Sequence, residues 1–185
     1  IKAYFSDESD PKIISDELKR TLKSISDQIS IGSGEISYTL RDDSEWKDSW
    51  KQYFKPFRIT EKTVIKPSWE EYVPQEDELI IEMDPGMAFG TGTHETTKMC
   101  AVLGEKYIME NDRVLDLGCG TAILGILAAK LGASSVLAVD IDEAAVKTAR
   151  QNVEKNGESN KVKVMRGTLN DVPEEAFDLI FINII

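Results

Sequence analysis

Two carboxylates and two glycines define the chemistry open to this chain. Asp116-Leu117-Gly118-Cys119-Gly120 closes one apolar run, and Val139-Asp140 closes the next. A strand entering a Gly-x-Gly turn, then a helix, then a strand ending in an acid is the form of a βαβ nucleotide-binding half. Gly118 and Gly120 let a ligand approach the backbone closely. The helix start offers free N–H groups, and the Asp140 carboxylate can accept both hydroxyls of a ribose. Two details turn the site away from a dinucleotide. Ile123 stands where a Gly-x-Gly-x-x-Gly fingerprint needs its third glycine, and Asp116 precedes the turn. An acid there suits a cationic ligand better than a pyrophosphate. The competing reading is an ordinary αβ unit whose glycines serve only the turn.

S-adenosylmethionine, which carries ammonium and sulfonium charges, is a ligand of that kind. Two further segments could meet it. Gly86, Gly90 and Gly92 lie in the loop Asp84–His94 and permit backbone angles closed to other residues. Thr96 and Thr97 follow at the first turn of the next helix, where a hydroxyl and free N–H groups can meet a carboxylate. Capping of that helix is their alternative role, and His94 reads as a structural loop histidine rather than a base. Asn183 ends the last apolar run. Its amide carbonyl can accept an N–H from an amine and aim the amine's lone pair, unless it only satisfies strand-end backbone.

The elements that must position these residues follow from periodicity. Arg113–Leu117, Ser135–Asp140, Val162–Arg166 and Phe177–Ile182 read as strands. Between them, Ala122–Leu131 and a stretch from Asp142 to Asn156 read as helices, and a helix of about fifteen residues begins near Glu95. This alternation predicts a parallel sheet with helices on both faces. Upstream, Phe57–Thr60, Thr63–Lys66 and Leu79–Met83 are short β runs. Ile1–Phe5 alternates like a strand, Pro11 opens a helix with Ile14, Leu18, Leu22 and Ile25 on one face, and Ile36, Tyr38 and Leu40 alternate again. Asp42-Asp43-Ser44 can cap a short helix carrying Trp46 and Trp50, a packing stripe between domains. Three parts result: a partial α+β domain over 1–43, a linker helix over 44–56, and a cofactor domain over 57–185.

Bulk properties exclude several classes. The chain carries 33 acids against 22 bases, a net charge of −11, with no basic stripe of the kind that phosphate neutralisation requires. Direct nucleic-acid binding is therefore not expected, whereas a basic protein partner suits the charge. Its longest apolar run, Ala122–Ala129, is far below the ~20 residues of a membrane span. No signal segment is visible, so a cytoplasmic location is expected. One histidine and two separated cysteines make a metal site unexpected. Ile1 is no initiator, and Ile185 directly follows a strand, so the sequence reads as part of a longer protein, with further C-terminal strands missing.

The loop from Pro85 to Thr97 closely resembles the signature loop of the PrmA family, methyltransferases of the eleventh large-subunit ribosomal protein. Asp116–Thr121 and Phe177–Ile184 are also similar to that family. So is the interdomain tract with Glu45, Trp46, Trp50, Lys51, Phe54, Lys55 and Pro56. The resemblance covers about residues 44–185. It implies a doubly wound, Rossmann-like class I methyltransferase sheet, preceded by a substrate-recognising N-terminal module. It further implies S-adenosylmethionine as cofactor, touched by Thr97 rather than Thr96, with Gly118, Gly120, Asp140 and Asn183 completing the site. The implied reaction methylates α-amino and lysine amino groups of one ribosomal protein. Asn183 resembles the first residue of the Asn-Pro-Pro-Tyr motif of amine methyltransferases, with Ile184-Ile185 in place of the prolines. Ala122 replaces the family's third glycine, and Gly167-Thr168-Leu169 lacks the acid that often holds an adenine. Rival readings are an amine methyltransferase of an RNA base or small molecule, an inactive cofactor-binding module, and an NAD-dependent oxidoreductase.

Overall fold

Residues 113–182 form the parallel α/β sheet that the alternation predicts, and its strand order fixes where a ligand can sit. The computed structural model describes residues 10–26, 29–39, 54–84, 92–173 and 176–184, and its contacts divide the chain into two units at Lys51/Gln52. In the second unit, β1 (Phe57–Arg58), β2 (Thr63–Lys66) and β3 (Leu79–Glu82) form a small sheet, antiparallel between β1 and β2 and parallel between β2 and β3. The main sheet has β4 (Arg113–Leu117), β5 (Ser135–Asp140), β6 (Val162–Arg166) and β7 (Leu179–Ile182) in the order β6-β5-β4-β7, all parallel. The chain steps from β4 through β5 to β6 in one direction, then places β7 on the other side of β4. The order reverses between β4 and β7, and in open α/β sheets the crevice beyond the carboxyl ends at such a reversal receives the ligand.

The first unit contributes α1 (Pro11–Ile25). Asp10 caps it by accepting the Lys12 N–H at 2.8 Å, and Pro11 opens its first turn. Its apolar stripe is only half covered, with Leu18 40% exposed. The strand expected from Ile36 to Leu40 does not form over the described residues 35–39. Alternation makes a strand only where a ladder partner exists, and none pairs with this segment among the described residues. The expected Ile1–Phe5 strand and the Trp46/Trp50 helix lie outside the described residues.

Three helices serve the main sheet: α2 (Glu95–Tyr107), α3 (Ile123–Lys130) and α4 (Glu143–Lys155). Every residue of α3 from Ile123 to Ala129 is buried, as an all-apolar helix requires. It lies in one core with Val114, Val136, Ala138 and Phe181 of the main sheet and Ile59, Ile65, Ile81 and Met83 around the small one. Ala101 of α2 and Ala149 and Val153 of α4 join that core, so among the described residues the three helices share one face rather than covering both as the alternation predicts. On the opposite face Leu115, Leu137 and Val139 pack with Val172 and Phe177. α2 is shorter than the expected fifteen residues. Ile108 leaves helical geometry, and the Asp112 carboxylate accepts the Met109 N–H to start a turn.

α2 is held at two points, against β7 and against the small sheet. A Cβ on Gly104 would sit 2.9 Å from Phe181 Cζ, so the missing side chain sets how closely helix and strand approach. At the next residue, the Glu105 carboxylate accepts from the hydroxyls of Thr60 and Thr63, which anchors the helix to the β1–β2 turn.

Candidate functional site

A single turn carries the chain from β4 into α3. Gly118 (φ 72°), Gly120 (φ 53°) and Ala122 (φ 62°) all adopt the left-handed region. For Ala122 this costs about 1–2 kcal/mol. Burial of its methyl contributes about 0.8 kcal/mol and its lower unfolded-state entropy about 0.4–1 kcal/mol relative to glycine. These terms offset part of the strain, but a side chain at positive φ remains net unfavourable relative to glycine.

Asp116 lies just before the turn, 2% exposed, and its Oδ2 accepts the Gly125 N–H at 2.9 Å. Gly125 makes that contact possible, since a Cβ there would lie 3.2 Å from Asp116 Oδ2 and 3.3 Å from Val136 Cγ1. Among the described residues no donor reaches Asp116 Oδ1, and the residue lines the cleft at the end of β4. Burial pushes the carboxyl up to about 7; the Gly125 N–H opposes this and the nearby Asp140 carboxylate reinforces it. The same burial raises the Cys119 thiol further from its ordinary value, and Cys100 is raised too, so neither is poised as a nucleophile.

Asp140 closes β5 on the other side of the turn. Its Oδ2 accepts the Gly120 N–H at 2.8 Å and its Oδ1 the Asp142 N–H at 2.9 Å. The carboxylate therefore braces the glycine turn, and each oxygen keeps lone-pair capacity for a further donor.

Thr97 and Asn183 approach from elsewhere in the chain. His94 caps α2: its Nδ1 accepts the Thr96 N–H and lies 2.8 Å from the Thr96 hydroxyl. Thr96 is thereby taken up at the cap, while Thr97, 2% exposed, faces inward. Asn183 follows β7 directly, and its Nδ2 donates to Thr97 Oγ1 at 3.1 Å. Among the described residues no donor reaches Asn183 Oδ1, the acceptor end of the amide.

Thr97, Asp116, Gly118, Gly120 and Asn183 thus line one cleft with Ile123, at the reversal between β4 and β7. Asp140 stands outside that lining and reaches it through Gly120. Two contributors escaped the sequence reading. Gly125 had a signal, a glycine inside an apolar helical run. Ile184 was read only as standing in a proline's place after Asn183, and its contact had no signal: a Cβ on Gly118 would meet its Cγ1 at 2.5 Å, so Ile184 lies directly over the turn. Among the described residues no three His, Cys, Asp or Glu side chains gather as a metal site would need, and no helix is long and apolar enough to cross a membrane.

Over residues 1–185 the chain matches the family model described as Ribosomal protein L11 methyltransferase (PrmA). Curated relatives of that name from Ruminiclostridium cellulolyticum and Acetivibrio thermocellus are each 50% identical to it over all of this chain. The chain spans 59% of the length of each of these relatives. It is also similar to the crystal structure of ribosomal protein L11 methylase from Lactobacillus delbrueckii subsp. bulgaricus. That similarity has a TM-score of 0.61 and 37% identity, over 69% of this chain and 65% of that one.

Proposed function

Because this chain belongs to the ribosomal protein L11 methyltransferase (PrmA) family, we propose that it carries the cofactor site and the acceptor-orienting residue of a protein N-methyltransferase. The substrate is a basic large-subunit ribosomal protein, methylated on α-amino and lysine amino groups, and the location is cytoplasmic. The observation that carries this reading is the convergence of Thr97, Asp116, Gly118 and Asn183, from three separate segments, on the cleft where the strand order reverses.

The residues fit S-adenosylmethionine. Asp116 offers a nearly buried carboxylate oxygen with no donor among the described residues, which suits an ammonium group and disfavours a pyrophosphate. The first turn of α2 offers the Thr97 N–H to a carboxylate. Gly118 and Gly120 add no side chains of their own to the cleft, where Ile184 lies over Gly118, and the remaining lone pairs of Asp140 suit ribose hydroxyls. When bound, this group supplies an electrophilic methyl on a sulfonium centre. Asn183 Oδ1 accepts an N–H of the incoming amine and orients its lone pair; alignment supplies much of the acceleration. No strong base is needed if the amine arrives neutral. An α-amino group, with a pKa near ~7.7–8, meets that condition easily, whereas a lysine near ~10.4 must lose its proton on desolvation. The net charge of −11 suits a basic protein and weighs against an RNA substrate. Residues 1–43 serve substrate recognition.

Incubating the natural protein in full length with labelled S-adenosylmethionine and a mixture of ribosomal proteins is expected to label one basic large-subunit protein on amino groups. Label appearing only in RNA, or in no ribosomal protein, would refute the reading. The ribose assignment has its own test. Asp140→Ala should weaken cofactor binding by about 1.5–3 kcal/mol, the scale of charge-assisted hydrogen bonds. Calorimetry showing unchanged affinity would remove Asp140 from the site, and tight binding of NAD would remove the cofactor assignment itself.

A further inference from the structure

We propose that Asn152 is a positioning residue for the cofactor cleft: by taking the Thr121 carbonyl, it leaves the Gly125 N–H to hold Asp116. The proposal rests on the reading of Asp116 as the partner of the cofactor's ammonium group. In an unbroken α-helix the Gly125 N–H would bond to the carbonyl four residues back, at Thr121. Ala122, at φ 62°, breaks that continuity, and α3 starts at Ile123 with the Ile126 N–H on the Ala122 carbonyl. One position earlier the partners are exchanged. The Gly125 N–H donates to Asp116 Oδ2 at 2.9 Å, and the Thr121 carbonyl accepts from Asn152 Nδ2 at 3.1 Å. A backbone N–H has one hydrogen, so Asp116 and the Thr121 carbonyl compete for it. Thr121 is fully buried, which keeps that competition within the protein.

Asn152 decides it. The side chain is buried on α4, and its Nδ2 also donates to Met83 Sδ at 2.9 Å. A backbone carbonyl and a thioether are both acceptors only, so a reversed amide would set Oδ1 against two acceptors, and the orientation is fixed. The helix is itself registered one turn on, where the Asn156 amide donates to the Glu82 carbonyl at 2.7 Å and accepts the Glu82 N–H at 2.9 Å. The titratable groups that act on Asp116 are Asp140 at the end of β5, Cys119 in the turn and Cys100 of α2. β7 and the buried stretch of α3 bring no titratable side chain. Burial and Asp140 both disfavour the ionised carboxyl, and the Gly125 N–H opposes them. Whatever keeps that N–H on Asp116 therefore helps keep the charge that the cofactor needs.

Thermal melts of the natural full-length protein without cofactor, from pH 4 to 9, test this. The Asp116 contribution is read as the difference between each protein and the same protein carrying Asp116→Asn. In wild type that difference should fall with rising pH and level off at about 7. In Asn152→Leu, which keeps the bulk and removes both donors, the levelling point should move up by about one pH unit, the scale of one hydrogen bond to a charged group. Met83→Leu leaves the bond to Thr121 in place and should not move it. Calorimetry with S-adenosylmethionine should follow: Asn152→Leu should bind about fivefold more weakly than wild type at pH 7 and within about twofold at pH 9, as the ionised fraction recovers. If the leucine variant does not fold, Asn152→Ser, whose hydroxyl can bond the Thr148 carbonyl one turn back, carries the same comparison. A levelling point that stays at the wild-type pH overturns the proposal, as does an equal shift in Met83→Leu or a binding deficit undiminished at pH 9. A shifted levelling point beside wild-type binding that ignores pH would instead refute Asp116 as the ammonium partner and leave the exchange of hydrogen bonds standing.

Discussion

Asn183→Ala is expected to lower kcat by roughly 100-fold, as when near-attack alignment is lost, with a smaller loss of cofactor affinity. The expectation follows from an amide whose Oδ1 meets no donor among the described residues and whose other end is already bound to Thr97. Alanine removes the acceptor and leaves the glycine turn and both carboxylates untouched, so binding should suffer less than turnover. Asn183→Asp should retain part of the activity. A hydroxyl can donate as well as accept, so Thr97 can rotate to serve one carboxylate oxygen while the other faces the amine. Single-turnover kinetics at saturating cofactor separate the two effects. A methyl-transfer rate near wild type in the alanine variant would reduce Asn183 to a strand-end residue.

The parallel sheet and its crossover helices were legible because short apolar strands alternate with helical stretches, and because each turn carries its own chemistry. Gly132 stops α3 and Asp142 caps α4, its side chain accepting the Ala144 N–H. The site residues were legible for a related reason: they sit at strand ends and helix starts, where topology brings ligands. Pattern could not supply pairing. Ile36, Tyr38 and Leu40 alternate as well as β7 does, yet β7 has β4 beside it, and residues 35–39 have no ladder partner among the described residues. Pairings between distant residues were equally hidden. The bond between Asn183 and Thr97 spans 86 positions, and the Gly125 N–H that meets Asp116 lies in an apolar run whose residues signal only burial.

Asp116→Asn is expected to move stability and cofactor affinity in opposite directions. The folded protein holds this carboxyl near 7, chiefly through burial, whereas an unfolded chain holds it near ~3.9. Between those values the unfolded chain releases a proton that the folded protein keeps. Stability therefore falls as pH rises from about 4 to about 7, and the contribution is flat above that. Asparagine cannot ionise, and its carbonyl can still accept the Gly125 N–H. The variant should lack this pH slope and gain about 2–4 kcal/mol over wild type at pH 8, the scale of the carboxyl's displacement. Thermal melts from pH 4 to 8 read this directly; parallel curves for the two proteins would mean that the carboxyl is solvated. Binding should go the other way. On the proposed reading, the ionised Asp116 faces the ammonium of S-adenosylmethionine, so wild-type affinity should tighten as pH rises toward 7. In the asparagine variant affinity should be weaker, by about tenfold or more at pH 8, and should lack that dependence, as loss of a nearly buried charge partner requires. A variant that is both more stable and fully able to bind cofactor would show that Asp116 serves only packing. A more stable protein with a weaker site is the trade expected where a buried charge is kept for its ligand.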